Sequence, residues 1–199
     1  MNRVNCNETS LVVASSNSGK VDEFRQLMFD FPITLLSQPE DFQIEETGKT
    51  FSENARLKAL AVANITGEWS MADDSGLSVD ALSGSPGVHS ARYANSDEGR
   101  IHRLLKEMNG VTNRSAHFSC AICIASPDDE ILLEVEGKCE GLITHEARGN
   151  NGFGYDPVFE VLDLGLTFAE MEIKDKQALS HRGKAFALLE PELKKLLQI

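Results

Sequence analysis

Four short segments of the chain combine residue types that could carry chemistry, and the first is Ser15–Lys20 (SSNSGK). Its small residues let backbone N–H groups approach an anion, the following helix N-terminus favours negative charge, and Lys20 adds a full positive charge. The spacing is not that of a Walker A loop, because Ala14 and Val21 stand where that motif needs Gly and Ser or Thr. Phosphate binding and an ordinary strand-to-helix turn therefore remain about equally supported by the spacing.

The second feature is two pairs of adjacent acids, Glu45-Glu46 in a polar loop and Asp73-Asp74 after an apolar stretch. Neighbouring strand residues face opposite ways, so only one member of each pair need enter a site. Carboxylates from separate segments are usual anchors for Mg²⁺, which takes its other ligands from water and substrate phosphates. A solvated charge pair is the better interpretation of either pair alone, but the position of Asp73-Asp74 favours a cleft.

The third segment, Arg148–Pro157 (RGNNGFGYDP), places Phe153 and Tyr155 among glycines. Aromatic rings on such an exposed loop can stack on a base, a contact that contributes about 1–3 kcal/mol in nucleic-acid complexes. A surface turn with a buried aromatic ring is the alternative.

The fourth segment, Lys176–Arg182 (KQALSHR), gathers three cationic or potentially cationic groups at a helix start. The helix dipole disfavours cations there, so an anionic or carbonyl partner would explain them. The alternative is a solvated basic patch.

Cys120 and Cys123 form a C-x-x-C pattern that could indicate zinc or redox chemistry. The surrounding FSCAICIA alternates like a strand, so the two thiols should point to opposite faces. No second Cys/His pair stands at zinc-finger spacing. We therefore interpret both cysteines as buried packing residues of a reduced compartment.

Periodicity predicts strands at Leu11–Ser15 and Ile33–Ser37, with an amphipathic helix between them. Two short strands, Trp69–Asp73 and Leu77–Ala81, are predicted around a tight Asp-Ser-Gly turn. A long hairpin is predicted from Ala116–Ala125 and Ile131–Glu140.

The best-marked helix start is Thr50, where Glu53 completes a capping box. Asn54 and Lys58, at i and i+4, share one face of that helix. Further helix starts are predicted at Asn95 with Glu98, at Thr167 with Glu170, and at Ser180. Helices alternate with strands at both ends of the chain, which indicates an α/β fold with a mixed sheet.

The composition limits the partners of this domain. The 199 residues suit one domain, and 19 Lys and Arg against 31 Asp and Glu give a net charge of −12. Such a surface repels nucleic acid polymers and anionic membranes, so a small polyanion needs clustered cations or a metal to bind. No signal peptide or membrane span is evident. We expect a soluble cytoplasmic protein with neither nucleic acid nor membrane as partner.

Taken in order, SSNSGK, EETGKTFSENARLKA, ADDSGL, SGSPGVHSARY, GFGYDPVF and KQALSHRGKA closely resemble the inosine triphosphate pyrophosphatases, also called the Ham1 or non-canonical purine NTP pyrophosphatase family. The resemblance spans about Leu11 to Leu189. It implies an α/β fold of two lobes, with a long twisted mixed sheet flanked by helices and an active-site cleft between the lobes. It further implies one bilobed domain over residues 1–199, a homodimer, and Mg²⁺-dependent hydrolysis of ITP, dITP and XTP to the monophosphate and pyrophosphate.

The resemblance also implies site residues. The triphosphate would be bound by Ser15, Ser16, Asn17, Ser18, Gly19 and Lys20, with Lys58 and Ser75 also touching phosphate. Mg²⁺ would be held by Glu46 and Asp74, and the catalytic residues would be Asp74 as proton acceptor, Lys20 and Lys58. The base and sugar would contact Phe153, Gly154, Tyr155 and Asp156, and the base would be selected by Lys176, His181 and Arg182.

One departure is Ser15-Ser16, which stands where the family often has Thr-Gly. Among rivals, a Maf-like pyrophosphatase for modified pyrimidine triphosphates is disfavoured by the GFGYDP and SHR segments. A nucleotide sensor without turnover is disfavoured by the intact Glu46 and Asp74. An aspartyl-phosphate phosphatase needs Asp-x-Asp, whereas this chain has adjacent Asp73-Asp74.

Overall fold

A computed structural model describes residues 9–199 of the chain. The strands are β1 (Thr9–Val13), β2 (Ile33–Ser37), β3 (Trp69–Val79), β4 (Ser115–Ala125), β5 (Ile131–Ile143) and β6 (Phe159–Val161). The α-helices are α1 (Ser18–Leu27), α2 (Phe51–Thr66), α3 (Asp97–Glu107), α4 (Ile173–Leu179) and α5 (His181–Leu197). Four short 3₁₀ helices span Asp80–Leu82, Gly87–Arg92, Asp156–Val158 and Phe168–Glu170.

The six strands form one sheet in the order β2-β1-β3-β4-β5-β6. β1 is parallel to both β2 and β3, whereas β3, β4, β5 and β6 pair antiparallel in sequence. The predicted α/β class with a mixed sheet flanked by helices is therefore confirmed.

The core has three apolar clusters that divide the sheet along its length. At one end, one face packs Leu11, Phe24 and Ile122 against α1 and α5, and the other packs Ala59 and Ala121 under α2. At the far end of β3, β4 and β5 a third cluster gathers the residues Leu77, Phe118, Phe159 and Phe168. Cys120 and Cys123 lie in the clusters on opposite faces, as their spacing predicts.

The predicted turn at Asp74-Ser75-Gly76 is wrong, because β3 runs through it as one strand of 11 residues. Asp74 pairs with Ala121 of β4, and Gly76 pairs with Ser119. A Cβ on Gly76 would lie 2.5 Å from both the Gly87 carbonyl oxygen and the Ser90 Oγ. Gly76 therefore permits the close approach of the 3₁₀ helix Gly87–Arg92, and both aspartates lie on a continuous central strand.

Local capping signals are mostly confirmed. Thr50 and Glu53 form the predicted capping box on α2, and the Ser180 hydroxyl caps α5 by accepting from the Gly183 N–H. The α3 cap is Ser96 and not Asn95, since the Ser96 Oγ accepts from the Gly99 N–H at 3.1 Å. Thr167 and Glu170 form a capping box on the 3₁₀ helix Phe168–Glu170. Among the described residues, no helix is both long enough and apolar enough to cross a membrane.

Candidate active site

A cavity of about 580 Å³ lies where α1, β3, α3, the 151–156 loop and the α4–α5 junction meet. Most of the predicted site residues line it: Asn17, Ser18, Gly19, Lys20, Ser75, Phe153, Gly154, Tyr155, Asp156, Lys176, His181 and Arg182. Ser15, Ser16, Glu46, Lys58 and Asp74 are not part of this lining. The structure thus brings together most of the residues that four distant segments contribute.

The Ser15–Lys20 loop forms the N-terminus of α1. Asn17 is its cap, because its Oδ1 accepts from the Lys20 N–H at 3.2 Å, and the Ser15 Oγ accepts from the Asn17 N–H at 3.2 Å. The backbone of Ser16 stays outside the left-handed region, so Ser serves there without the freedom of Gly. Ser16, Asn17 and Ser18 are exposed, which leaves the helix N-terminus open to an anion.

Gly19 joins the two walls of the cavity. A Cβ at this position would lie 2.8 Å from Cδ1 of the Phe153 ring. Gly19 therefore lets the start of α1 pack directly against the 151–156 loop, and any larger residue would push the aromatic ring away.

The adjacent acids of β3 face opposite sides of the sheet, as alternation predicts. Asp73 has a fully buried side chain, whose Oδ2 lies 2.9 Å from the Lys20 Nζ and 3.0 Å from the Arg182 guanidinium. These two cations outweigh burial and hold the pKa of the Asp73 carboxyl far below its usual range. Asp73 is thus a permanently ionised residue buried behind Lys20 and Arg182, which themselves line the cavity.

Asp74 faces α2 and is 6% exposed. Its Oδ2 accepts from the Asn54 amide at 2.9 Å, and its Oδ1 lies 3.5 Å from the Lys58 Nζ. Burial raises the pKa of Asp74 above its usual value, against the opposing effect of Lys58 and Lys20. A desolvated carboxylate with a raised pKa is suited to accept a proton.

Glu46 meets Asp74 at the same lysine. The Lys58 Nζ lies 2.7 Å from the Glu46 Oε1, and Arg92 lies 3.2 Å from the Glu46 Oε2. Burial opposes ionisation, but Lys58 and its neighbouring cations lower the pKa of Glu46, while Asp74, Asp73 and Glu46 raise the pKa of Lys58. The site therefore holds two carboxylates from separate elements that converge on the ammonium of Lys58.

That donor set fits Mg²⁺. No group of three or more potential metal ligands is found within residues 9–199. Mg²⁺ needs no such cage, since it is commonly bound by one or two carboxylates together with water and substrate phosphates. Glu46 and Asp74 supply two carboxylates beside Lys20 and Lys58, the cations suited to those phosphates.

The aromatic end of the cavity differs from the predicted exposed loop. Phe153 is half-buried, but Tyr155 is buried in the core and donates its hydroxyl to the Ser90 carbonyl at 2.9 Å. Gly154 is held from outside the loop, because its N–H donates to Asp97 of α3 at 2.7 Å. Phe153 is therefore the ring suited to stack on a base, and Tyr155 supports the loop from below.

Asp156 organises this loop from within. Its buried Oδ2 accepts from the Phe153 N–H at 2.9 Å and from the Lys176 Nζ at 2.7 Å. Burial raises the pKa of Asp156 despite the Lys176 ammonium. Gly152 is required here, because a Cβ on it would lie 1.9 Å from that same oxygen.

The cations of Lys176–Arg182 are not a solvated patch. Lys176 is bonded to Glu23 at 2.8 Å as well as to Asp156, and Arg182, 2% exposed, donates to Glu23, Asp73 and Ser75. The anionic partners expected for cations at a helix N-terminus are therefore carboxylates of the protein itself. The Arg182 Nε has no partner among the described residues.

His181 is buried and stacks on the Phe118 ring, with centroids 4.6 Å apart. Burial, reinforced by Arg182 and Lys176, lowers the pKa of His181 well below its usual value, so the ring is neutral. Its Nδ1 has no partner within residues 9–199. A neutral imidazole in the cavity wall can accept or donate one hydrogen bond to a ligand.

The sequence assigned no role to three side chains that hold the site together. Glu23 binds both Lys176 and Arg182, and Asp73 binds Lys20 and Arg182. Glu23 stands three residues after Lys20 and so shares its helix face, a signal that could have pointed to it. Asp97 carries no such signal, because its contact with the 151–156 loop is set only by the fold.

The structure is that of an α/β protein whose cavity offers an open helix N-terminus and Lys20 for an anion, and an aromatic ring with donors for a planar group. A carboxylate pair suited to a metal lies outside the cavity lining, at Lys58. The chain belongs to the Ham1 family, whose model matches residues 11–192.

Relatives of known name cover nearly the whole chain. The dITP/XTP pyrophosphatase of Prochlorococcus marinus (strain MIT 9313) is 63% identical over 190 residues, which are 96% of this chain and 94% of the relative. The protein of the same name from Synechococcus sp. (strain CC9311) is 62% identical over 94% of this chain and 91% of its own. A HAM1 protein from Coxiella burnetii is 42% identical with a TM-score of 0.86, over 94% of this chain and 99% of that one.

Proposed function

We propose that this chain hydrolyses non-canonical purine nucleoside triphosphates, namely ITP, dITP and XTP, to the monophosphate and pyrophosphate. The family membership and the two relatives named dITP/XTP pyrophosphatase support this activity. The observation that carries it is the arrangement of Lys20, Lys58, Glu46 and Asp74 next to a cavity with an aromatic ring at its other end. Such a cavity accommodates a nucleotide with its phosphates toward the acids.

Mg²⁺ is the proposed cofactor, with Glu46 and Asp74 as its protein ligands. When bound, it would neutralise charge on the phosphate oxygens and draw electrons from the phosphorus that water attacks. Lys20 and the α1 N-terminus bind the triphosphate from one side, and Lys58 binds it from the other. Four positive contributions would thus let an acidic protein hold a polyanion.

Asp74 orients the attacking water and accepts its proton. The Asn54 amide fixes Asp74 Oδ2 at 2.9 Å, which leaves Oδ1 on the side of Lys58. Its raised pKa makes it a stronger base than an exposed aspartate. Pyrophosphate leaves from the end that the two lysines hold.

Base selection rests on donors that cannot become acceptors. Hypoxanthine and xanthine carry an oxygen at C6, where adenine carries an amino donor. Lys176 and Arg182 offer only donors, whereas neutral His181 can do either and so does not discriminate by itself. When the donors of such a site face an amino group, they are left without hydrogen-bond partners. This mismatch can lower kcat/KM for the wrong substrate by a factor on the order of 10⁴.

The active protein is further proposed to be one bilobed domain over residues 1–199, a homodimer, and cytoplasmic. The net charge of −12 supports a protein that avoids nucleic acid polymers and membranes. Its partners are then small nucleotides and a second copy of the chain.

A substrate panel tests this proposal. kcat/KM is measured for dITP, XTP, dATP, dGTP and dUTP across a Mg²⁺ titration. We expect dITP and XTP to be preferred over dATP by at least about 10² and turnover to require the metal. A preference for dUTP would instead support the pyrimidine pyrophosphatase, and tight binding of dITP without turnover would support a nucleotide sensor.

A further inference from the structure

Asp73 has no part in the proposed chemistry, yet it contacts two residues that line the cavity, Lys20 and Arg182. One of its oxygens, Oδ2, receives both the Lys20 Nζ at 2.9 Å and the Arg182 guanidinium at 3.0 Å. The other oxygen, Oδ1, is buried without a partner within the described part of the chain. One buried atom therefore joins the triphosphate lysine to the arginine of the base-selecting cluster.

This sharing makes the two cations depend on each other. A buried carboxylate that loses its partners is strongly unfavourable. Lys20 can therefore turn its ammonium toward a phosphate only while Arg182 remains on Asp73 to balance its charge. Anything that holds Arg182 in place lowers the free energy needed to release Lys20.

The contacts of Arg182 show how a bound base could affect the position of its guanidinium. Its guanidinium is already held by Glu23 and Ser75 in addition to Asp73, and only its Nε lacks a partner. A keto purine that accepts from this cluster would hold Arg182 in its present position, whereas an amino purine would place a donor against donors and displace it.

We propose that Asp73 is a positioning residue that transmits the identity of the bound base to Lys20, so that a correct base favours transfer of that lysine to the triphosphate. This inference rests on the proposed function. It means that discrimination against dATP lies largely in kcat, and not only in substrate binding. Contacting residues of one network commonly couple by about 2- to 150-fold.

Asp73→Asn is the primary test, because the amide keeps the shape of the side chain and removes its charge. We expect the ratio of kcat for dITP over dATP to fall by about tenfold, within the range for coupled residues, while the ratio of KM values changes by less than about threefold. Cys120→Ala is the matched control, since its Sγ lies 3.8 Å from the same Asp73 oxygen without bearing charge, and its kcat ratio should equal that of wild type.

Product binding gives a second readout that needs no turnover. With Mg²⁺ present, dIMP should tighten the binding of inorganic pyrophosphate to the wild type, dAMP should not, and Asp73→Asn should abolish the difference. If Asp73→Asn does not fold, the same coupling is measured from Lys20→Gln, Arg182→Gln and the double variant, whose effects on the kcat for dITP should be non-additive by about tenfold.

Two results would overturn the inference: an unchanged kcat ratio in folded Asp73→Asn, or additive effects of the Lys20 and Arg182 variants. Both differ from failure of the proposed function, in which the wild type itself would not turn over dITP. The first result includes a loss of activity in Asp73→Asn that is equal for dITP and dATP, because the kcat ratio is then unchanged.

Discussion

Asp73 and Asp74 are the same residue type at adjacent positions of one strand, yet the two faces of β3 give them opposite properties. Asp73 lies on the face of α1 and α5, where Lys20 and Arg182 lower its pKa. Asp74 lies on the face of α2, where burial raises its pKa although Lys58 is 3.5 Å away. The number and closeness of the cations therefore decide whether burial favours or disfavours the charged form.

The opposite pKa shifts suit the two aspartates to different roles. The ionised form of Asp73 is bound tightly by its neighbours, so it suits a structural charge that orders cations around it. The ionised form of Asp74 is held with its charge incompletely balanced, so it suits proton transfer and metal binding. Variants of the two residues should accordingly differ in which property they lose.

The largest effect is expected from Asp74→Asn, which removes the proposed base and one metal ligand. We expect kcat for dITP to fall by roughly 10²–10⁴, the range for loss of a general base. The measurement is kcat at saturating Mg²⁺, with Asp41→Asn in an exposed loop as a control of the same chemistry. A kcat near that of wild type would show that Asp74 is not the base.

Arg182→Ala should act first on stability, because it leaves Asp73 and Glu23 without their shared partner. Breaking a buried ion pair from one side costs about 3–5 kcal/mol, and a chain of this length should then lose roughly 6–20 °C in Tm. Thermal unfolding measures the loss, and Arg182→Lys should recover part of it. In the protein that remains folded, the preference for dITP over dATP should shrink; an unaltered Tm together with an unaltered preference would contradict both roles.

When Tm is measured across pH, Asp73→Asn and Asp74→Asn should change it in opposite directions relative to wild type. The pKa of Asp73 is lower in the folded protein than its value near 3.8 in the unfolded chain. Its charge therefore stabilises the fold above about pH 4, and this stabilisation is lost as the pH falls toward the folded pKa. Asp73→Asn should thus be less stable than wild type at pH 7, with the gap narrowing below about pH 4.

The raised pKa of folded Asp74 reverses the argument. Its charge opposes folding at neutral pH and ceases to do so as pH falls through the raised pKa, because the folded carboxyl then takes up a proton first. Asp74→Asn should therefore be at least as stable as wild type at pH 7, an advantage that disappears in acid. Equal destabilisation by both variants would contradict the claim that the two faces of β3 shift the pKa values of Asp73 and Asp74 in opposite directions.

The smallest effect is expected from Cys120→Ser. The thiol is buried in the core on the Asp73 face, and burial raises its pKa to about 12, so it is not a nucleophile at neutral pH. We expect kcat for dITP within about twofold of wild type and a modest loss of Tm from a buried hydroxyl. A large loss of turnover without loss of folded protein would assign Cys120 a chemical role.

The sequence predicted what depends on neighbours along the chain. The Thr50–Glu53 capping box, the alternation of Asp73 with Asp74 and the opposite faces of Cys120 and Cys123 all follow from short spacings, and all are confirmed.

What depends on distant segments was not predictable in the same way. The pattern Asp-Ser-Gly indicated a turn, because the need for Gly76 comes from Ser90, a residue in another element. Likewise, alternation gave Asp73 a face but could not show that this face holds Arg182, 109 residues away. For the same reason the spacing left a buried aromatic ring in the 148–157 segment only as an alternative, since the Tyr155 hydroxyl is satisfied by the Ser90 carbonyl of another element.

The proposed activity is tested most directly by the identity of the first products. dITP is incubated with the wild-type protein, with and without Mg²⁺, and the mixture is separated by anion-exchange chromatography before a tenth of the substrate is consumed. The arrangement of Lys20, Lys58, Glu46 and Asp74 predicts dIMP and pyrophosphate in equal amounts, and no products without the metal. The appearance of dIDP and orthophosphate as the initial products would contradict it.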